Sequence, residues 1–382
     1  MLIKYFGGTF NIRMSTFLGL IDEIPGISVD RFDGENRNSS AYFLSHCHTD
    51  HMEGLSYTFF MYLIQYNKYL YCSPISKILL ESKFGGKDKG SLLNFPCIKA
   101  IEVDEKFLVE HKSEGNVEIT DLFVTCISAG HCPGSVMFLF ERLDKFILYT
   151  GDFRINTRDY RKLKSLHYHV DSNRFPKKLA KMYLDTTFLD SDFRSFPTRK
   201  ETINVMGREV RDWLKKSSRN VVVLDCSATY GSEYLYKELS TFLKDHIKDS
   251  RVHVKHYVHE SYCRISNLES YITNDPLSAR IHACMKKGES LKCRTDVLEE
   301  NILTIVPSAM KWRGEDSSKI GEWDKQKARM YNVCYSVHAS YSELEEFILY
   351  FKPEEIYPCV CPSHESGRIF YLLNKIKSKI RR

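Results

Sequence analysis

The stretch Leu44-Ser45-His46-Cys47-His48-Thr49-Asp50-His51 holds three imidazoles and a carboxylate within six residues. It follows the apolar run 41–44, so we expect it to begin where a buried strand ends and a loop starts. Alternate side chains of an extended segment point to the same side, which brings His46 and His48 towards one point. Asp50 and His51 follow where the chain turns and can serve a second ion. Imidazole and carboxylate donors bind zinc, so the stretch predicts a metal site; a histidine-rich surface loop is the alternative.

The spacing His-x-His-x-Asp-His resembles the signature of the metallo-β-lactamase superfamily. That resemblance implies further ligands downstream, and the chain offers His131 within 129–135 and Asp152 within 148–154. In the family the histidine caps one metal and the aspartate bridges both. A strand aspartate ahead of the signature holds a ligand histidine by its second nitrogen. Of two candidates, Asp30 and Asp33, we choose Asp30, while a plain surface acid is the alternative for either.

Length and composition limit the class of protein. A chain of 382 residues with 43% hydrophobic content is expected to form two domains. The sequence contains no run of 18 or more apolar residues, so we expect no membrane span. Residues 1–13 carry no signal-peptide cleavage pattern, so we expect no signal peptide. The net charge of +6 suits a protein that binds phosphate backbones, although solvated helix faces explain most basic clusters. The twelve cysteines are expected to be reduced, and some can bind metal.

The pattern changes after Arg154. Residues 155–181 are polar and basic, which predicts a loop or linker. A strand at 182–184, a helix opened by a capping box at 198–201, a buried strand at 221–224 and a helix at 233–244 then alternate. This β-α-β-α order predicts a parallel sheet. Further on, 313–327 is predicted to be a flexible loop, and 340–343 is a second capping box that opens a helix.

The stretch Tyr-Leu-Asp-Thr-Thr-Phe at 183–188 is similar to the first signature of the β-CASP branch, nucleases that insert a second domain into the metallo-β-lactamase fold. With 41–52, 129–140, 149–154 and 340–343, the similarity runs from about residue 14 to 358 and is greatest to members that open DNA hairpins. It implies an α/β fold, an αββα sandwich with the metals at one edge and an inserted α/β domain roofing a groove over them. The expected domains are 1–180, 181–330 and 331–382, the first and last forming the sandwich.

The resemblance also assigns roles. Asp185 is expected to approach the metals from the inserted domain, and His338, at a strand end, is expected to bind the second metal; a core histidine is its alternative. The predicted catalytic residues are Asp50, Asp152, Asp30 and Asp185. The predicted metal ligands are His46, His48, Asp50, His51, His131, Asp152 and His338.

A second metal site is predicted from His253, His282, Cys284 and Cys293, a Cys₂His₂ set suited to structural zinc. Scattered residues of these types are as often part of a core, but the resemblance implies such a site and gives the same order. His282 is then a structural ligand and not a catalyst.

The function implied is a metal-dependent DNA nuclease that opens hairpins and cuts single-strand overhangs, with 5′-to-3′ exonuclease activity as a further mode. It would act in the nucleus in double-strand break repair by non-homologous end joining, with an end-joining kinase and ligase as partners and no membrane. Its cofactors would be one or two catalytic Zn²⁺ ions, the second open to Mg²⁺ or Mn²⁺, and one structural Zn²⁺. A 5′ exonuclease of interstrand crosslink repair, an RNA-processing β-CASP nuclease, a small-molecule hydrolase and a metal-binding scaffold are the alternatives.

Overall fold

The computed structural model describes residues 15–85, 95–109, 121–171, 173–226, 230–265, 267–285, 291–315 and 318–380. Residues 1–13, where we expect no signal peptide, lie outside these ranges. Contacts between Cα atoms divide the chain into two compact units. The first unit consists of residues 1–190 and 337–382, and the insert unit consists of residues 191–336.

The strands are short and distributed over both units. In chain order they are β1 (Ile27–Val29), β2 (Ala41–Leu44), β3 (Tyr69–Cys72), β4 (Ile98–Ala100), β5 (Lys106–Val109), β6 (Leu122–Ser128), β7 (Val136–Arg142), β8 (Lys145–Tyr149), β9 (His167–Val170), β10 (Asn173–Pro176), β11 (Leu179–Leu184), β12 (Val221–Leu224), β13 (Val252–His253), β14 (Ile272–Thr273), β15 (Ile281–His282), β16 (Ile302–Pro307), β17 (Gly321–Trp323), β18 (Met330–Val333) and β19 (Glu355–Pro358).

The helices lie on the outside of the sheets. They are α1 (Tyr57–Gln65), α2 (Pro74–Phe84), α3 (Arg199–Lys216), α4 (Glu233–Leu243), α5 (His256–Cys263), α6 (Tyr341–Phe351) and α7 (Ser366–Ile380). Among the described residues, every helix is too short or too polar to cross a lipid bilayer.

Two sheets of the first unit pack face to face. One is parallel with the order β1-β2-β3-β4, and the other is mixed with the order β19-β11-β8-β7-β6-β5. Phe43 of β2 packs on Phe138 and Phe140 of β7 in the core between them. The neighbouring residue Tyr42 points the other way and contacts Phe59 of α1, because side chains alternate along a strand. Helices α6 and α7 cover the outer face of the larger sheet, so the predicted α/β class and αββα sandwich are confirmed.

The sandwich brings its polar motifs to one edge. The strands β1, β2, β6, β8 and β11 all run in the same direction within their sheets, and their carboxyl ends lead directly into the polar stretches. Asp30 follows β1, the histidine-rich stretch follows β2, and Asp152 and Asp185 follow β8 and β11. His338 does not end a strand as expected, since β18 stops at Val333 and His338 lies in the connection to α6.

Both predicted capping boxes are confirmed. Thr198 caps α3 and accepts a hydrogen bond from the backbone of Glu201, whose side chain bonds back to the Thr198 backbone. Ser340 and Glu343 form the same reciprocal pair at the start of α6. Each pair satisfies backbone N–H groups that a helix start leaves without partners, so these two helix starts could be predicted from four residues each.

Two predictions of irregular structure are wrong. Residues 155–181 form 3-10 turns at Thr157–Lys162 and Lys164–Leu166, the antiparallel hairpin β9–β10 and the first half of β11. The hairpin was missed because nearly all of its side chains are exposed, which removes the alternation of apolar and polar residues that marks a half-buried strand. Within 313–327, residues Gly321–Trp323 pair with β18 as an edge strand.

The pairing of β11 determines where the two units divide. Strand β11 pairs in parallel with β8 and with β19, so residues up to Asp190 pack with the first unit. The division therefore lies at 190/191 and 336/337, whereas the sequence placed it at 180/181 and 330/331.

The insert unit is built on a seven-stranded sheet with the order β14-β13-β15-β12-β16-β18-β17. Every pairing in it is parallel except that of β17 with β18, which confirms the parallel sheet predicted from the β-α-β-α order. His253 of β13 and His282 of β15 are direct partners in the register of two adjacent strands.

Candidate metal centre

Asp152 lies at the middle of a group of buried imidazoles in the first unit. Its Oδ1 atom is 3.3 Å from Nε2 of His51. Its Oδ2 atom is 3.6 Å from Nε2 of His46, 3.7 Å from Nε2 of His131 and 3.9 Å from Nε2 of His338. Donor atoms that share one zinc ion at about 2.0–2.2 Å are separated by roughly this much. Three segments that are distant in sequence, those of His46 and His51, His131 and His338, therefore present metal-binding atoms to the carboxylate of a fourth.

The donor atoms fall into overlapping sets. The ligand atoms of His46, His48, His131 and Asp152 all lie within 4.8 Å of one another, and so do those of Asp152, Asp185 and His338. Asp152 belongs to both sets, which is the position of a carboxylate that bridges two ions. The ligand atoms of a third set, Asp30 with His46 and His51, lie within the same distance of one another.

In four of the histidines, Nε2 faces Asp152 while Nδ1 forms a hydrogen bond on the opposite side of the ring. A ligand histidine usually bonds through its second nitrogen to a carboxylate or carbonyl, which fixes the ring and leaves one nitrogen for the metal. Here the Nδ1 partners are Ser45 Oγ at 3.0 Å for His46, Asp30 Oδ2 at 2.8 Å for His51, the Val337 carbonyl at 3.1 Å for His131 and Asp185 Oδ2 at 2.9 Å for His338.

Asp30 is buried and surrounded by donors. Its carboxylate accepts the Ser45 N–H at 2.7 Å, the Ser45 hydroxyl at 2.5 Å and the Tyr149 hydroxyl at 2.8 Å, and it contacts His51. Its φ of 55° lies in the left-handed region, which aspartate tolerates better than most residues. Asp33, the alternative, instead pairs with Arg31 in a partly exposed position.

Asp185 reaches the centre from the first unit and not from the insert as expected, because β11 belongs to the larger sheet of the sandwich. Its Oδ1 accepts the backbone N–H of Thr187 at 2.9 Å and the Thr187 hydroxyl at 2.6 Å. Its Oδ2 is therefore left to face His338, which it orients.

Asp50 is the outermost of the predicted ligands. Its Oδ2 is 3.8 Å from Nε2 of His51, and its side chain is 26% exposed where that of His51 is 3% exposed. It lies in none of the compact donor sets, so among the described residues it is the predicted ligand that is brought least closely into the group.

The histidines of the centre differ in the direction in which their pKa is shifted. Burial lowers the pKa of His46 and His131 well below the usual value, and it lowers that of His48 to about 4. Burial also acts on His338, but the carboxylates of Asp152 and Asp185 outweigh it and raise its pKa to about 9. The imidazoles that surround Asp152 hold its pKa well below the usual range in spite of burial. Neutral imidazoles and an ionised carboxylate are the forms that bind metal.

Two ring nitrogens support the fit of a metal ion. Nε2 of His46 and Nε2 of His48 are buried and have no hydrogen-bond partner among the described residues. Buried polar atoms are almost always paired, so atoms of this kind call for an explanation. A divalent ion held by His46, His131, Asp152 and Nδ1 of His48, which lies 3.1 Å from Nε2 of His131, would satisfy the nitrogen of His46, and the donor set suits zinc.

The four residues predicted as a structural zinc site meet in the insert unit. Nδ1 of His282 is 3.3 Å from Nδ1 of His253 and 3.5 Å from Sγ of Cys293, and Sγ of Cys293 is 3.3 Å from Sγ of Cys284. Tetrahedral zinc with these ligands separates its donors by roughly 3.3–3.8 Å, whereas a disulfide holds its sulfurs at about 2.05 Å. The hydrogen bond to Cys284 lowers the pKa of Cys293 against the opposing effect of burial, which favours the thiolate.

Three groups at the first centre were not found from the sequence. Ser45 and Tyr149 bond to Asp30, and the carbonyl of Val337 accepts from His131. Ser45 precedes His46 directly and Tyr149 ends β8, so their places in the motifs were visible. No sequence signal identifies a backbone carbonyl as a partner, because every residue has one.

Comparisons with known proteins agree with this geometry. The family model described as DNA repair metallo-beta-lactamase matches residues 266–364. The chain is 36% identical to Protein artemis of Danio rerio over 361 residues, which are 91% of this chain and 54% of that protein. It is 37% identical to Protein artemis of Homo sapiens, covering 91% of this chain and 50% of that protein. It is 27% identical to DNA cross-link repair protein SNM1 of Arabidopsis thaliana, covering 88% of this chain and 65% of that protein.

The chain spans about half the length of the Artemis proteins that it matches. Since the similarity covers 91% of this chain, it extends over both units. On these grounds residues 266–364 belong to the DNA repair metallo-beta-lactamase family, and the chain as a whole is similar to the Artemis proteins.

Proposed function

We propose that this chain is a metal-dependent DNA nuclease that opens hairpin ends and cuts single-strand overhangs, with 5′-to-3′ exonuclease activity as a further mode. The observation that carries the proposal is the position of Asp152, whose two oxygens lie within 3.9 Å of four imidazole nitrogens. Similarity to the Artemis proteins, and to the more distant DNA cross-link repair protein, supports DNA as the substrate.

The residues of the centre would have different roles in such a nuclease. Asp152 would hold two donor sets at a fixed separation, and Asp30 and Asp185 would keep the rings of His51 and His338 in position. A bound divalent ion supplies Lewis-acid polarisation of a phosphate oxygen and makes hydroxide available near neutral pH. Asp50, at the more exposed side of the group, lies where a substrate phosphate can approach.

The proposed cofactors follow from the donor sets. One or two zinc ions would occupy the first centre, the second position also accepting Mg²⁺ or Mn²⁺ because it is richer in carboxylate. One structural zinc ion would join β13, β15 and Cys293 in the insert unit, where it would contribute to folding and not to cleavage.

We place the protein in the nucleus, in double-strand break repair by non-homologous end joining, with an end-joining kinase and ligase as partners. This placement rests on the similarity to the Artemis proteins.

Cleavage of labelled nucleic acids tests the proposal. The purified chain is incubated with a DNA hairpin, a 5′-phosphorylated DNA strand and an RNA of the same sequence, each with and without a chelator. We expect nicking near the hairpin tip that the chelator abolishes. The variant Asp50→Ala should lose cleavage and keep its affinity for DNA.

Other outcomes would replace the proposal. Stepwise shortening from the 5′ end alone would assign the chain to the exonucleases of crosslink repair, and cleavage of RNA alone would overturn the DNA assignment. Absence of cleavage from a chain shown to contain metal would contradict an autonomous nuclease.

A further inference from the structure

The positive charge of the chain is concentrated in one segment of the first unit. Residues 155–181 contain eight lysines and arginines against two aspartates, a net charge of +6, and the formal net charge of the whole chain is also +6. The remaining residues are therefore neutral in sum. This is the segment that forms the 3-10 turns and the hairpin β9–β10.

Half of these cations are already engaged. Lys162 pairs with Asp159 at 2.5 Å, Lys178 with Glu354 at 2.6 Å and Lys181 with Glu23 at 2.6 Å. Lys177 lies over the ring of Phe146 at 4.6 Å. The other four are solvent-facing and form no ion pair with a described residue: Arg158, Arg161, Lys164 and Arg174.

These four cations and His169 form a surface that we call the basic track. Arg158 and Arg161 are three residues apart on a 3-10 turn, so they share a face of it. Nη1 of Arg174 donates to the carbonyl of Arg161 at 2.6 Å, which joins the hairpin to that turn. Arg174 and His169 are partners in the hairpin register and lie on the same face.

The basic track leads away from the metal centre. Arg158 follows Asp152 by six residues, and the hydroxyl of Tyr160 donates to the carbonyl of Glu343 in the first turn of α6. Further along, Nε2 of His167 bonds to the hydroxyl of Tyr350 near the end of α6. The segment thus follows α6 from the end beside His338 to the other end, and an eleven-residue helix is about 16 Å long.

The length of this segment suits a nucleic-acid strand of a few nucleotides. A strand of duplex DNA carries one phosphate per about 3.4 Å of axis, so 16 Å corresponds to roughly five nucleotides. Three of the four cations are arginines, which bind phosphates through several donors at once. An acidic protein segment would also be attracted, but unpaired cations on a segment that follows α6 from the end beside His338 favour a nucleic acid that extends from the proposed nuclease centre.

We propose that the basic track binds the phosphates of about five nucleotides of a DNA strand as it leaves the metal centre. This inference rests on the proposed function for the identity of the strand. The track would add to affinity without dependence on sequence, because phosphate contacts position a nucleic acid but do not read its bases.

A charge-neutralised variant tests the track. Arg158→Gln, Arg161→Gln, Lys164→Gln and Arg174→Gln are combined in one chain, and a second chain without the Arg174 change preserves the bond between hairpin and turn. The control combines Lys99→Gln, Lys145→Gln, Lys352→Gln and Lys375→Gln, four exposed and scattered lysines of the same unit. Binding of a labelled DNA hairpin and of labelled polyglutamate is measured by fluorescence anisotropy at several salt concentrations, with Asp50→Ala added to every chain so that the hairpin is not cut while the metals stay in place. Cleavage is measured with metal in the chains without the Asp50 change.

The quadruple variant should bind DNA at least about tenfold more weakly at 0.1 M salt, and the slope of log affinity against log salt should fall by about 3 to 4. The triple variant should show about three quarters of that change. KM should rise while kcat stays the same, and the control should change much less in every measurement.

Equal weakening of the variant and the control would show an effect of net charge alone and would overturn the track. Unchanged DNA affinity together with lost binding of polyglutamate would assign the surface to acidic protein segments instead. If the unmodified chain cleaves no DNA but the two variants still differ in binding, the track stands and the proposed nuclease function fails.

Discussion

Asp30 illustrates how one residue of the candidate metal centre can position another. Its carboxylate lies 2.8 Å from Nδ1 of His51 and fixes that ring while Nε2 faces Asp152. Three further hydrogen bonds, from Ser45 and Tyr149, leave the carboxylate little freedom. The side chain therefore acts by positioning the imidazole.

Asp30→Asn is expected to lower metal affinity and cleavage by about 10–100-fold, because removal of such a partner loosens the ligand histidine. Asparagine tolerates the left-handed backbone at this position, so the fold should be retained. Zinc affinity is measured by competition with a chromophoric chelator, and circular dichroism checks the fold.

Asp33→Asn is the matched control, since Asp33 is three residues away and pairs with Arg31 at the surface. It should leave zinc affinity unchanged. An Asp30→Asn chain that bound zinc as tightly as the unmodified chain would exclude the positioning role.

The histidine-rich stretch could be chosen from sequence because it holds four ligand-type residues directly after a buried strand, and the resemblance to a known superfamily supplied the other predicted residues of the centre. Ser45, Tyr149 and Val337 could not, because their contribution depends on which strands are neighbours in space. Asp185 was chosen correctly as a residue near the centre but assigned to the wrong unit, since the sequence does not show that β11 pairs with β8.

At the level of elements, the start of α6 joins two parts of the centre. The carboxylate of Glu343 completes the capping box with Ser340, two residues after His338, and accepts from Nε of Arg154 at 3.1 Å, two residues after Asp152. One side chain therefore couples the helix that follows one ligand to the loop that follows another.

Glu343→Ala should destabilise the first unit by more than the about 1 kcal/mol that loss of a helix cap costs, because the side chain of Arg154 is only 6% exposed and its guanidinium loses a carboxylate as well. Glu343→Gln keeps the capping hydrogen bond, so its free energy of unfolding should fall between those of the unmodified chain and the Glu343→Ala chain. Chemical denaturation measures both.

The corresponding control is Glu201→Ala in the capping box of α3, whose members are exposed and only cap the helix. It should cost about 1 kcal/mol. Equal losses for Glu343→Ala and Glu201→Ala would show that the contact with Arg154 contributes no stability.

In the insert unit, two short parallel strands position the second cluster. His253 and His282 are adjacent only because β13 and β15 pair, although 28 residues separate them in the chain. Cys284 and Cys293 follow the end of β15, which brings their sulfur atoms close to the two imidazoles.

Cys284→Ser is expected to reduce the zinc content by one ion per chain and to lower the unfolding temperature, since a structural zinc ion contributes its binding energy to folding. Zinc is measured by mass spectrometry of acid-digested protein. Cys263→Ser, at a half-buried thiol outside the cluster, should change neither quantity. Full zinc content in the Cys284→Ser chain would exclude the site.

For the whole molecule, the β-α-β-α order was enough to predict the parallel sheet of the insert unit, and the resemblance of the motifs to a known superfamily implied the αββα sandwich. The hairpin β9–β10 and the edge strand β17 could not, because exposed strands carry no apolar face. The borders of the units depend on the pairing of β11 and β19, which no local pattern reveals.

The distribution of charge leads to a prediction for the intact chain. Since its excess positive charge lies in one segment and phosphate contacts carry no sequence information, two DNA hairpins of unrelated sequence should bind with similar affinity. Both affinities should fall linearly, on logarithmic axes, with salt concentration. Anisotropy titrations check this, and a strong preference for one sequence would contradict it.

The first unit is made of two stretches of chain with the insert unit between them, and this order matters while the protein is being synthesised. His338 and strand β19 leave the ribosome only after the whole insert has been made, on the order of ten seconds after Asp185. Until then β11 lacks its neighbour on one side and the ligand set lacks its last histidine. A nascent chain therefore carries an unfinished centre, and the ability to hold the full set of metal ions arises at a late step of translation.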